Sequence, residues 1–350
     1  KLFIMLIFYL MLMLSTLIAM SSHSWMIIWM MLEINLMSFI SIITLPKMTN
    51  NQYNYLFKYF IIQTISSSSF LISITMLWVN NYISYNIFNT NFMEIMISMA
   101  MILKMGLYPF HLWYIEIMSN LPWMNFFLLS TWQKIIPLTI ISYFNENIII
   151  YFTVIVSSLI SSIQGMYQNN LRKIFTFSSI NQTSWMTINS SLSMYLMMFY
   201  MFMYMMILFC IIYMFNINNL SYIYELYLLN NYNYLMKLFL FLNILSLAGL
   251  PPFMGFMSKI ISIKFLIFNK LYLITSTLII SSMMTLFFYL RLTYTSMILI
   301  SLKLKNNLMK IHLKNFFYKM YFLNKLNYLM FSITTISYII LIMSTMLDLY

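Results

Sequence analysis

Glycine, alanine, cysteine and acidic side chains are all scarce in this sequence, and each shortage removes a class of function. Four glycines in 350 residues leave no G-x-G-x-x-G loop on which a nucleotide phosphate could rest. The single cysteine, Cys210, stands in an apolar run; it can form neither an internal disulfide nor a thiolate cluster and reads as a lipid- or core-facing spectator. Three histidines, His23, His111 and His312, two of them in expected loops, cannot build a bis-histidine haem pair within an apolar layer, so haem and copper carriers drop out. Charged residues make up 7% of the chain against 63% hydrophobic ones, with a mean hydropathy of +0.86, which leaves too little polar surface to cover a water-soluble core. The solvent of this chain is a bilayer, and the expected fold class is an all-α membrane protein; the apolar runs are long and do not alternate, which excludes a barrel.

What is present is methionine, phenylalanine, tyrosine, isoleucine and asparagine, with 38 Met, 31 Phe and 28 Tyr. This usage matches an AT-rich genome whose code also reads ATA as methionine, a mitochondrial code. The chain enters an apolar helix at Leu2 without an Arg- and Ser-rich amphipathic start, so no cleavable presequence is expected. Apolar runs predict eleven spans, near 2–20, 25–45, 57–79, 92–112, 122–143, 147–167, 172–189, 194–215, 237–258, 272–295 and 328–347. Basic residues orient them. Lys1, Lys47, Lys58, Arg172, Lys173, Lys237, Lys303, Lys305, Lys310, Lys314, Lys319 and Lys325 fall on one side, Lys264 and Lys270 on the other, which places the N-terminus in the matrix and the C-terminus in the intermembrane space. Two matrix joints, 216–234 and 301–328, are long enough to lie on the surface as amphipathic helices. Their lysines read as a topology signal and a contact for anionic lipid rather than as a specific ligand or nucleic-acid site.

Glu33, Lys104, Lys134 and Lys259 remain inside expected spans, and insertion scales charge ~2.5 to 3.5 kcal/mol for each such group at mid-helix. One reading of Glu33, Lys104 and Lys134 is a static buried ion pair. The other is a proton relay, because a low dielectric disfavours the charged forms of lysine and carboxylate alike and brings them closer to exchanging a proton. Lys259 lies near an expected helix end, where it either snorkels or joins the relay, and Arg291 is expected to snorkel. His111, behind Pro109, either passes a proton between Lys104 and a water chain or makes a structural hydrogen bond. Glu116 is expected to be an ordinary loop carboxylate rather than the mouth of the relay.

Gly106-Leu-Tyr-Pro-Phe-His-Leu-Trp113 recurs 143 residues later as Gly249-Leu-Pro-Pro-Phe-Met-Gly-Phe256. Proline removes a backbone donor and clashes with the preceding turn, so both spans should break or kink there. Interrupted helices at matching places in two halves point to an ion path. The expected units are 1–145 (helices one to five) and 146–300 (helices six to ten), related by inversion because each holds an odd number of spans, followed by 301–350, a basic matrix segment and last helix.

The segments WMMLEINLMSFI, KMGLYPFHLWYIEIM, LPWMNFFLLSTWQKIIP, NLRKIFTFSSINQTSWM and LSLAGLPPFMGF together resemble, in order and along most of the chain, the chain 2 family of animal mitochondrial NADH:ubiquinone oxidoreductase. TWQKIIP and SSINQTSW favour chain 2 over the related chains 4 and 5. That family lacks three N-terminal helices of its bacterial counterparts, which fits eleven spans. The resemblance implies an antiporter-like fold in the membrane arm of complex I, with Glu33 and Lys104 as a modulating pair, Lys134 as the central relay residue and Lys259 at the second broken helix on the exit side. It implies no cofactor in this chain, with flavin, iron–sulfur clusters and ubiquinone elsewhere in the complex. Implied partners are chains 4 and 4L, other membrane-arm and accessory subunits, and lipid such as cardiolipin. The competing functions are a redox-free structural spacer of the membrane arm and a related cation/proton antiporter.

Overall fold

The computed structural model describes residues 2–45, 50–82, 90–144, 148–226, 234–251 and 253–301. The expected last span, the basic segment after Ser301 with His312, and Lys1 and Lys47 lie outside the described residues. Among the described residues the regular structure is helical, apart from one isolated bridge between Asn170 and Tyr222. The first three helices, α1 (Leu2–Ser21), α2 (Trp25–Thr44) and α3 (Asn50–Tyr82), match expectation.

The fourth expected span is a helix pair. Helix α4 (Thr90–Met105) stops at Gly106, whose φ of +70° a side chain rarely tolerates, and α5 (Leu112–Asn120) resumes beyond Pro109. The fifth, expected to be continuous over 122–143, is also interrupted. It divides into α6 (Trp123–Ser130), a 3-10 turn over Trp132–Lys134 and α7 (Ile135–Ile141). Pro137 is the physical reason: it has no N–H for the carbonyl four residues back, that of Gln133, and its ring crowds that turn. Helices α8 (Ile148–Met166), α9 (Leu171–Leu192) and α10 (Met194–Asn218) follow without a break. Helix α11 (Tyr234–Ala248) ends at Gly249 (φ +83°), and α12 (Met254–Phe268) continues to ten residues past the expected end of that span before α13 (Tyr272–Ser301). Six of these helices, α1, α2, α3, α8, α10 and α13, are long and apolar enough to cross a membrane by themselves.

The described part of the joint after α10 is not an amphipathic helix, contrary to expectation. Asn219 closes α10 in a left-handed conformation (φ +51°), and the following residues pair with the loop before α9. There Leu171 N–H donates to the Ser221 carbonyl (2.9 Å) and Ile223 N–H to that of Asn169 (3.2 Å). Trp123 Nε1 donates to the Leu220 carbonyl (2.9 Å), and the Arg172 guanidinium lies 5.4 Å from the Trp123 ring centroid. Joints that the basic residues assign to a single side thus meet at one end of the bundle. Glu116, on α5 rather than in a loop, accepts from Lys58 at 2.7 Å with both side chains exposed. Arg291, part-buried, donates to the Met166 and Gln168 carbonyls at the end of α8, 2.6 Å each.

Glu225 ties that joint together by accepting from the Ser221 N–H and hydroxyl and the Tyr222 N–H. Partial burial alone would raise its carboxyl, but these bonds and the nearby Arg172 charge hold it below the ordinary carboxylate value. A depressed carboxyl stabilises fully above its unfolded pKa, and the contribution is lost as pH falls through the lower folded value. Hydrogen exchange, corrected for intrinsic rates, should therefore show Ser221 and Tyr222 amides protected at neutral pH and released in acid, and Glu225→Gln should weaken that protection at neutral pH. A second expectation concerns the crossing of α11 and α12. A Cβ on Gly255 would stand 1.8 Å from the Ser246 carbonyl oxygen, which is backbone and cannot swing away. Gly255→Ala should destabilise the chain by about 3 kcal/mol or more, seen as a lower thermal midpoint in detergent.

Candidate functional site

The interruptions bring buried polar groups together. Lys104 occupies the last turn of α4, and Lys134 the 3-10 turn that Pro137 imposes between α6 and α7. Both are buried, Lys134 with 2% of its surface exposed, and both line one cavity of about 20 Å³ together with Asn35, Gln63, Tyr114 and Gln133. That volume holds a water molecule among polar partners. Gln63 Nε2 donates to the Lys104 carbonyl (3.3 Å), which the interruption after Met105 leaves without a helical partner, and Gln133 Nε2 donates to Asn35 Oδ1 (2.8 Å).

Glu33 lies on α2, two residues before Asn35, and is half-buried. Its carboxylate acts electrostatically on Lys104, but the two do not close into a direct ion pair; the ion pair within 4.0 Å among the described residues is Lys58 with Glu116. The Lys134 ammonium is held by neutral groups. It sits 4.6 Å from the Tyr114 ring centroid and donates to the Ser179 carbonyl at 3.5 Å, a long bond, while Tyr114 Oη shares a hydrogen bond with Ser179 Oγ (2.9 Å).

Lys259 is the sixth residue of α12 and does not extend outward as a snorkelling side chain would. It is buried and donates to the Ala248 carbonyl (2.8 Å) at the broken end of α11. Gln182 of α9 donates to the preceding carbonyl, Leu247 (3.3 Å), and accepts from the Tyr200 hydroxyl. His111 is set apart from the lysine cavity. It stacks near Tyr108, with ring centroids 5.7 Å apart, in a tight cleft with Ser157 and Ser161, and its buried Nδ1 lacks a hydrogen-bond partner. Cys210 is buried in α10. Among the described residues no three His, Cys, Asp or Glu side chains converge on a point where a metal ion could bind.

Sequence reasoning located Glu33, Lys104, Lys134 and Lys259 but missed the amides and phenols between them, Asn35, Gln63, Gln133, Gln182, Tyr114 and Tyr200. Of these, Gln182 lies in a run that is polar in sequence, Ser178 to Ser184 of the buried helix α9, and that run does not single it out from its neighbours.

Residues 22–285 match the family model for the transmembrane region of NADH:quinone oxidoreductase and Mrp antiporter subunits. NADH-ubiquinone oxidoreductase chain 2 of Anopheles gambiae is 40% identical over 317 residues, covering 86% of this chain and 89% of the mosquito protein. The Locusta migratoria chain 2 is 34% identical, covering 83% and 84%. In fold, the chain is similar to a subunit of Thermus thermophilus respiratory complex I, with a TM-score of 0.73 at 17% identity over 83% of this chain and 70% of that one. It is also similar to a chain of the Mrp complex of a Dietzia species, with a TM-score of 0.69 at 13% identity over 83% of this chain and 59% of that one. The antiporter-like helical fold is thus shared by distant assemblies, while the sequence likeness over most of both lengths is to one group, and the chain belongs to the NADH-ubiquinone oxidoreductase chain 2 family.

Proposed function

We propose that this chain is a membrane-arm subunit of NADH:ubiquinone oxidoreductase in the mitochondrial inner membrane, and that it carries protons through Glu33, Lys104, Lys134 and Lys259 without transferring electrons itself. The observation that carries the proposal is the shared cavity of Lys104 and Lys134, polar, large enough for water and built where two helices are interrupted. A lysine pair with water between them can exchange a proton, whereas two fixed ammonium groups around one cavity would repel each other at low dielectric.

Coupling follows from the same arrangement. Because Lys104 and Lys134 line one cavity, a charge arriving on Lys104 raises the energy of a charge on Lys134 at low dielectric and pushes that proton onward. Flavin, iron–sulfur clusters and ubiquinone belong to other subunits in this reading, with chains 4 and 4L, accessory subunits and cardiolipin as neighbours. The two units 1–145 and 146–300 are proposed to be inverted repeats of five helices. Supporting this, the pairs α4/α5 and α11/α12 each break after a glycine of positive φ in corresponding sequence. The N-terminus is assigned to the matrix and the C-terminus to the intermembrane space. His111 is proposed as a side branch, since its cleft is separate from the lysine cavity.

The test is Lys134→Met in the assembled complex. Proton uptake coupled to NADH oxidation should fall on the order of a hundredfold or more, in the range that positioned acid–base groups contribute, with assembly unchanged. Normal coupled turnover in that variant, and in Glu33→Gln combined with Lys104→Met, would instead make the chain a structural spacer.

A further inference from the structure

Helix α9 adjoins both lysine compartments, touching Lys134 directly and the helix end that holds Lys259 through Gln182. Lys134 donates to the Ser179 carbonyl, and Gln182, three residues on and so on the same face, donates to the Leu247 carbonyl adjoining the one that Lys259 holds. Beside Gln182 lies a small cavity of about 10 Å³, lined by Tyr200, Tyr204, Leu247, Gly255 and Ser258 as well, just enough for one water. Ser258 is the residue before Lys259. Helix α10, which carries Tyr204, packs against α6 as well as α9, and the Tyr204 side chain interacts with Ser130 at the end of α6 and electrostatically with Tyr114, whose ring supports the Lys134 ammonium. The Tyr204 hydroxyl is fully enclosed yet makes no complete hydrogen bond. A buried hydroxyl in that condition is destabilising unless something bonds to it, and the adjoining cavity is where that partner can be.

We propose that Tyr204 and one water in this cavity form the connection between Lys134 and Lys259, with the Gln182–Tyr200 hydrogen bond holding the connection in register. This rests on the proton-carrying reading above. The Lys134 ammonium gives up a proton toward the phenol side of the cavity, and the chain of hydroxyl and water delivers a proton to neutral Lys259. Lys134 ends as the amine and Lys259 as the ammonium, so the proton count balances and no other reactant is needed. Gln182 is a positioning residue: its amide oxygen fixes Tyr200, and its N–H fixes the end of α11 next to Ala248, the carbonyl on which the Lys259 ammonium rests. Tyrosine is suited to the transfer position because its hydroxyl donates and accepts at once, whereas phenylalanine of the same shape does neither.

The experiment compares Tyr204→Phe, Gln182→Met and Lys134→Met in the assembled complex in sealed vesicles, measuring NADH oxidation, proton uptake and the solvent deuterium isotope effect. Tyr204→Phe should lower protons moved per NADH by at least twofold and raise the isotope effect, with the complex assembled; Gln182→Met should act in the same direction and decides the matter if Tyr204→Phe assembles poorly. Unchanged proton stoichiometry in both, with Lys134→Met impaired, overturns the connection and leaves the relay. Unchanged stoichiometry in all three overturns the relay reading and this inference with it.

Discussion

A cation inside a bilayer must find partners, and in this chain neutral backbone and aromatic groups supply most of them. Lys259 bonds to the last residue of α11 and Arg291 to carbonyls at the end of α8, while Lys134, at the interruption between α6 and α7, reaches across to the Ser179 carbonyl of α9 and the Tyr114 ring. The last carbonyls of a helix have no intrahelical donor and carry the negative end of its dipole, which suits them to hold Lys259 and Arg291. The interruptions have a second effect: they place Lys104, in the last turn of α4, and Lys134 around one cavity. Glycine and proline make the breaks, and the breaks bring two lysines to a place that water can reach.

The parts of this arrangement readable from the sequence were those with a strong local signature. Apolar runs located most of the described helices, with ends up to ten residues off, and the repeated G-L-x-P-F segment located two of the breaks, because proline and positive-φ glycine act on their own turn. Four ionisable residues stood out against a nearly uncharged background. The break at Lys134 was missed although Pro137 is plain to see: one proline in an apolar run permits either a kink or a 3-10 turn, and packing against α9 and α4 decides between them. The expected end of the ninth span fell ten residues early, which alone moved Lys259 from mid-helix to an apparent membrane edge. The amides and phenols were hidden for another reason. Asn, Gln, Ser and Tyr are abundant throughout this biased composition, so only tertiary contacts distinguish Gln182 or Tyr204 from the rest.

Helix α9 shows how far polarity can be carried inside such a bundle. It is buried along nearly its whole length, and most of its Ser and Thr hydroxyls return to the carbonyl three or four residues earlier. Those bonds satisfy the hydroxyls locally and leave them free to turn toward a better partner. Gln182 differs, since its bonds run to α10 and to α11, and it thereby ties three helices at the level of the second lysine compartment. A fixed crosslink among rotatable hydroxyls is what a proton path through packed helices requires: positions that do not drift, and groups between them that can reorient.

The scarcity of acidic residues bears on the same question. The chain has 18 basic and 6 acidic side chains, and among the described residues the carboxylate that acts on an interior lysine is Glu33, on Lys104. A lysine paired directly with a buried carboxylate would strand an anion on losing its proton, at a penalty of several kcal/mol. Lys134 and Lys259 rest on carbonyl oxygens and an aromatic face, so losing a proton leaves a neutral amine among neutral dipoles. Either protonation state of such a site therefore avoids a stranded anion. The absence of a direct Glu33–Lys104 ion pair fits the same logic, because a carboxylate that acts from a short distance can bias a lysine without locking it.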